Sequence, residues 1–193
     1  FFINPENGDV LICDNDNVSP FGTNLGIMGK QRWMAPEIVM GKNDPDKNSD
    51  RFSLAVVLFR LLFINHPLEG RYSTPPCMTK EAEQKYYGSA PIFVYDPSTS
   101  ENRPIPGTDH NLKLFWNVYP DYVKEAFIRA FSHDVMMKQK PRILEKEWLD
   151  IFIRLRTEIG RCPHCGQETF YTFRGSHDIP CMECGKKIPI TNA

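Results

Sequence analysis

Four cysteines near the end of the chain have the type and spacing of a metal site. Cys162-Pro-His-Cys165-Gly and Cys181-Met-Glu-Cys184-Gly both read C-x-x-C-G, with fifteen residues between Cys165 and Cys181. A two-residue gap lets one tight turn aim both sulfurs at the same ion, and the glycine that follows lets the backbone pass close by. Two such turns complete a tetrahedron, so the spacing predicts one zinc ion held by Cys162, Cys165, Cys181 and Cys184 in a zinc ribbon. Four thiolates leave no open coordination position, and such a zinc holds structure without doing chemistry. The competing reading, a redox dithiol or two unrelated pairs, does not account for the doubling at ribbon spacing. His164 and His177 are spare donors and are read as non-ligands. Cys13 and Cys77 stand alone and are assigned no role.

Zinc ribbons often touch nucleic acid, but the local charge argues against that here. Residues 161–193 carry four basic side chains (Arg161, Arg174, Lys186, Lys187) and three acidic ones (Glu168, Asp178, Glu183). Four thiolates around Zn²⁺ add about −2, which leaves the module a poor phosphate binder. Phe170, Tyr171 and Phe173 are read as its small core and not as a base-stacking platform. With so few apolar residues, the module is expected to unfold when zinc is removed and to leave the rest of the chain folded.

The remaining residues must build what carries this module. The chain has 193 residues, 41% hydrophobic and 24% charged, with a net charge of −1. That is enough for one main domain plus an appendage, and it gives no general pull toward nucleic acid or an anionic membrane. No apolar run approaches the ~20 residues of a membrane span. Thiols at zinc spacing fit a reducing compartment, and the protein is expected to be cytoplasmic.

Residues 2–13 alternate Phe-Phe-Ile, a turn containing Asn7-Gly8, and Val-Leu-Ile-Cys, the pattern of a β-hairpin. Asn15 to Gly29 reads as loop. Asp50 to Phe63 is apolar on nearly every side and is expected at the centre of a helical domain. Residues 71–112 are mostly surface, apart from a polar helical stretch from Thr79 to Tyr87 and a strand-like run from Pro91 to Tyr95. Tyr122–Phe131 and Ile143–Ile159 have amphipathic helical spacing, with Gly160 expected as a C-terminal cap.

Gly29-Lys-Gln-Arg-Trp-Met-Ala-Pro-Glu37 resembles the end of the activation segment of eukaryotic-type protein kinases, and its surroundings extend the likeness. Val10-Leu-Ile-Cys-Asp14 resembles the strand that runs into the magnesium-binding Asp of D-F-G. Ser49-Asp50-Arg-Phe-Ser resembles the start of the central C-lobe helix, and His66-Pro-Leu-Glu-Gly70 the H-P-F-x-G that often follows it. Ala130-Phe-Ser-His-Asp134 with Lys140-Pro141 resembles the approach to the last kinase helix. The flavour is that of bacterial serine/threonine kinases with appended modules. The resemblance implies a mainly α fold: a kinase C-lobe, β-hairpin plus helical bundle, over residues 1–158, followed by the ribbon over 161–193.

It also implies roles. Asp14 would hold the Mg²⁺ that bridges the ATP phosphates, and Asp16 is a possible second carboxylate. Asn15 and Asp16 replace the Phe and Gly of D-F-G, a departure compatible with altered regulation or a pseudokinase. Lys30 stands where these kinases carry a Thr that touches the catalytic Asp. Ala35, Pro36 and Glu37 close the activation segment; Glu37 is expected to pair with Lys140, which occupies the position of the family's Arg, or with nearby Arg142. Asp50 would bond the catalytic-loop backbone. Ser19 and Thr23 are read as ordinary loop hydroxyls. The Gly-rich loop, the Lys–Glu pair and the catalytic-loop Asp and Asn are not in the sequence, so an N-lobe and catalytic loop are expected as partners in cis. The whole protein would transfer the γ-phosphoryl of ATP to serine or threonine, while these residues alone would be inert. The alternatives are a pseudokinase scaffold that binds protein partners, and a nucleic-acid-binding zinc-ribbon protein.

Overall fold

The structure, a computed structural model, describes residues 2–13, 18–20, 23, 26, 29–75, 77–138, 140–170 and 180–188. The described residues are mainly helical, with two small sheets among them. Strands β1 (Phe2–Ile3) and β2 (Val10–Leu11) pair antiparallel, Phe2 opposite Leu11 and Ile3 opposite Val10. Gly8 takes φ +78° in the turn between them, which the missing Cβ permits. The apolar side chains of this hairpin all face solvent.

Helix α1 (Pro36–Val39) is one short turn. Helix α2 (Lys47–Phe63) begins at a capping box: the Ser49 amide donates to Asp46 Oδ1 at 2.6 Å, and the Asp46 amide donates to Ser49 Oγ at 2.8 Å. It buries Phe52, Ala55, Val56, Phe59 and Phe63, one stripe at helical spacing. Leu61 is 49% exposed, so α2 lines the core on one face and is not enclosed on every side as its composition suggests. Helices α3 (Lys80–Gln84), α4 (His110–Val118), α5 (Asp121–Ala130), α6 (His133–Met136) and α7 (Glu145–Thr157) complete the lobe. Phe59 is the hub: edge-on contacts to Phe93 at 5.6 Å and Phe127 at 5.3 Å tie α2 to α5 and to the loop before α4. Among the described residues no helix is long and apolar enough to cross a membrane.

Residues Pro91 to Tyr95 do not form a strand. Two of their carbonyls are taken by side chains instead, Asn102 Nδ2 donating to Ile92 at 2.6 Å and Arg103 to Val94 at 3.2 Å, while the Val94 amide donates to the Pro67 carbonyl at 2.9 Å. Asn102 also donates to the Leu68 carbonyl and accepts from the Tyr72 and Ser73 amides, which clamps the loop after His66. Gly70 sits against this clamp so closely that a Cβ would lie 2.2 Å from the Asn102 carbonyl oxygen. Backbone, not a flexible side chain, would have to move. Gly70→Ala is therefore expected to destabilise the lobe by about 3 kcal/mol, the upper range for overpacking. Urea unfolding checks this, and a loss within about 0.5 kcal/mol, typical of surface changes, would contradict it.

The final sheet pairs β3 (Ile159–Arg161) with β4 (Glu168–Phe170), Ile159 opposite Phe170. Gly160 is the middle residue of β3 and not a left-handed cap; α7 ends at Thr157 with Glu158 following it. The strand begins almost without a linker because Glu158, 6% exposed, is held by the Tyr122 hydroxyl at 2.9 Å and by Arg154 Nε at 3.0 Å.

Candidate metal centre

The two cysteine turns have the same backbone form. In the first, the Cys162 amide donates to the Gln167 carbonyl and the Gly166 amide to the Cys162 carbonyl, at 2.7 and 2.9 Å. In the second, Cys181 and Lys186 and then Gly185 and Cys181 repeat the pattern, both at 2.9 Å. Gly166 and Gly185 take φ +74° and +66°, left-handed positions that explain the glycine after each pair. The sulfurs converge: Cys165 Sγ lies 3.6 Å from Cys181 Sγ, Cys162 Sγ lies 3.8 Å from Cys184 Sγ, and all four are within 4.8 Å of one another.

Zinc–sulfur bonds of about 2.3 Å in a tetrahedron put neighbouring sulfurs roughly 3.8 Å apart, the spacing found between the knuckles. Cys162, Cys165, Cys181 and Cys184 therefore form a cluster able to hold a metal ion, and the four-sulfur donor set suits zinc. The Cys184 amide holds the Cys181 thiol down at about 6, against the effect of burial. The Gln167 amide favours the Cys165 thiolate too, but burial and the neighbouring sulfurs outweigh it and push that thiol up to about 12. A zinc bound here would polarise nothing and activate no water, since the protein fills its coordination sphere.

The centre is joined to the lobe. Phe170, 9% exposed, is part of the lobe's core, with its ring 5.2 Å from that of Tyr119 at the end of α4, and Met182 of the second knuckle packs on the same core. Phe170 does not build a separate ribbon core; among the described residues that cluster is Cys162, Cys181 and Ile188, with Cys184 packed against it. Tyr171, Phe173 and His177 lie outside the described residues.

The motif residues of the lobe gather around Glu37. Arg142 Nη1 and Nη2 donate to the two Glu37 carboxylate oxygens at 2.9 and 2.7 Å, across 105 residues of chain. Glu37 is 8% exposed and Arg142 6%, and Arg142 also donates to the Asn48 carbonyl at 2.9 Å. Burial alone would raise the Glu37 carboxyl, but the guanidinium outweighs it and holds the carboxyl below its usual range. Lys138 Nζ reaches the same carboxylate at 3.2 Å, a partner the motif did not point to. Lys140 bonds Asp134 at 2.8 Å on the surface instead. Ala35 and Pro36 are buried at the start of α1, while Lys30 is exposed. Asp50 is exposed, and no described residue donates a hydrogen bond to it. Asp14 and Asp16 lie outside the described residues.

No protein-family model matches the chain, and no solved structure matches it. Among curated proteins, the methionine--tRNA ligase of Nanoarchaeum equitans (strain Kin4-M) is 28% identical over 72 residues. Those residues are 37% of this chain and 8% of the ligase, so the chain is similar to a small part of that enzyme and spans far less than its length.

A buried network that the sequence reading missed underlies the Gln31–Trp33 turn. His66 Nε2 bonds the Arg32 carbonyl at 2.7 Å and His66 Nδ1 accepts from the Leu68 amide at 3.2 Å, which defines a neutral ring. Glu69 accepts from Arg32 twice at 2.6 Å and from the Tyr87 hydroxyl at 2.7 Å. Burial pushes His66 down to about 4 from 6.5, against the pull of Glu69. A histidine depressed in the folded state contributes stability above its unfolded pKa, and that contribution is lost as pH falls toward the folded one. The chain is expected to lose roughly 3 kcal/mol from this group between about pH 7 and pH 4. His66→Gln, which keeps a donor and an acceptor, should flatten that slope in urea melts. Parallel pH profiles for the two proteins would exclude His66 as the source.

Proposed function

We propose that the helical part is a protein-kinase-like C-lobe, and that in a longer protein supplying the nucleotide-binding lobe and catalytic loop it takes part in ATP-dependent phosphoryl transfer to protein hydroxyls. The observation that carries this reading is the buried Glu37–Arg142 pair. It ties an Ala-Pro-Glu motif to the segment before the last helix, the arrangement the resemblance calls for. Asp50 fits the same reading, as a carboxylate left open for a loop outside these residues. Asp14, at the exit of the apolar run Val10 to Cys13, is the proposed Mg²⁺ ligand. The zinc ribbon stiffens the end of the lobe. A pseudokinase scaffold is the second reading, favoured by Asn15 and Asp16 in place of the Phe and Gly of D-F-G.

Phosphate transfer by the full-length protein is the test. Asp14→Ala should cut turnover at saturating ATP by about 10³-fold or more, because the reaction depends on charge neutralisation by the metal. Asp16→Gly should preserve it. Turnover that survives Asp14→Ala but not Asp16→Gly would refute the assignment, and absence of transfer in the parent protein would select the scaffold. Residues 1–193 alone are expected to show no binding of Mg-ATP at micromolar concentration by calorimetry.

A further inference from the structure

We propose that Cys165 is an oxidation site: a peroxide attacks its sulfur first, Cys181 resolves the product, and the disulfide expels the zinc. The inference rests on the metal centre and is independent of the kinase reading.

Exposure separates the four sulfurs. Cys162 and Cys181 are each 2% exposed and packed with Ile188, Cys184 is half-buried, and Cys165 is exposed. A zinc ion enclosed by four thiolates offers an oxidant no open metal position, so attack falls on sulfur. Zinc ligation holds all four sulfurs as thiolates, so access is what separates them, and access favours Cys165. The resolving sulfur lies across the site. Cys181 Sγ is 3.6 Å away, while Cys162 and Cys184 face each other at 3.8 Å. Closing 3.6 Å to the roughly 2.05 Å of a disulfide needs a small approach of the two knuckles.

The step balances with hydrogen peroxide as oxidant. The Cys165 thiolate takes one oxygen as the O–O bond breaks, giving a sulfenic acid and water after one proton is taken up. The Cys181 thiolate then attacks that sulfur and the S–O bond breaks; the oxygen leaves as a second water with another proton. The two sulfurs lose two electrons in all and the peroxide gains them. Zinc stays Zn²⁺, with only Cys162 and Cys184 left to hold it, too few for a closed site. Because Phe170 and Met182 lie against the lobe's core, the loss of metal reaches the lobe as well.

The test uses the zinc-loaded chain with Cys13 and Cys77, the two other exposed thiols, replaced by Ser. Zinc content is measured first; a chain without zinc overturns the metal centre itself. Hydrogen peroxide is then added, and zinc release is followed with a chromogenic chelator. One zinc per chain should be released together with a Cys165–Cys181 disulfide in the peptide map. Cys165→His keeps a zinc ligand and removes the attacked sulfur, and should slow release by about tenfold or more. Retention of zinc under peroxide, a Cys162–Cys184 or within-knuckle disulfide, or undiminished release from Cys165→His would each overturn the proposal. If Cys165→His binds no zinc, the disulfide map of the parent decides alone.

Discussion

Stripping zinc from the chain is expected to do more than melt the ribbon: the melting temperature of the helical lobe should fall by about 5–10 °C. The metal term itself is large, since structural zinc contributes roughly 10–16 kcal/mol of apparent binding energy to modules of this size. Among the described residues the ribbon's own buried cluster is Cys162, Cys181 and Ile188, too small a core to hold it without the metal. The lobe feels the loss because β4 brings Phe170 against Tyr119, and because β3 follows α7 after a single residue. Losing part of the Phe170 packing removes about 2–3 kcal/mol from the lobe, and a domain of this length shifts by roughly 2–4 °C per kcal/mol. All three tryptophans, Trp33, Trp116 and Trp148, precede the ribbon, so their fluorescence reports the lobe alone. Phe170→Ala should lower the same transition with zinc still bound. An unchanged tryptophan melt after chelation would mean that the two parts are energetically separate, as the sequence first suggests.

Arg142→Ala should be the most damaging single change in the lobe. It leaves the Glu37 carboxylate buried with Lys138 as its remaining cation, and it strips a donor from the Asn48 carbonyl. Breaking one partner from a buried pair costs about 3–5 kcal/mol, a large fraction of the total stability of a domain. Arg142→Lys should recover only part of this, because a point charge cannot reproduce two parallel hydrogen bonds. Replacing both partners, Glu37→Leu with Arg142→Met, should be milder than Arg142→Ala, since no uncompensated charge remains. Urea denaturation of the four proteins is the check. A cost for Arg142→Ala within the range of ordinary surface changes would contradict the role given to the pair.

Sequence reading succeeds where the physics is local. The first hairpin is made by one glycine turn, and each cysteine knuckle by five consecutive residues. It fails where a partner comes from elsewhere in the chain. Pro91 to Tyr95 has the composition of a strand, yet Asn102 and Arg103 claim two of its carbonyls, and nothing in those five residues says so. Gly160 stands where a cap would, but Glu168 to Phe170 pairs with its neighbours and draws it into a strand. Helix α4 was hidden at the edge of a Pro- and Gly-rich region and shows only through what it buries, Leu112 and Val118. Near Glu37 the sequence left Lys140 and Arg142 open as partners, and Arg142 takes the place because it has the planar fork that a buried carboxylate needs.

Zinc-edge X-ray absorption on the folded chain tests the metal centre most directly. Four sulfur neighbours at about 2.3 Å, with no nitrogen or oxygen in the first shell, is the result expected of a site closed by Cys162, Cys165, Cys181 and Cys184. A nitrogen scatterer at about 2.0–2.1 Å, as a histidine ligand would give, or fewer than four sulfurs, would contradict it.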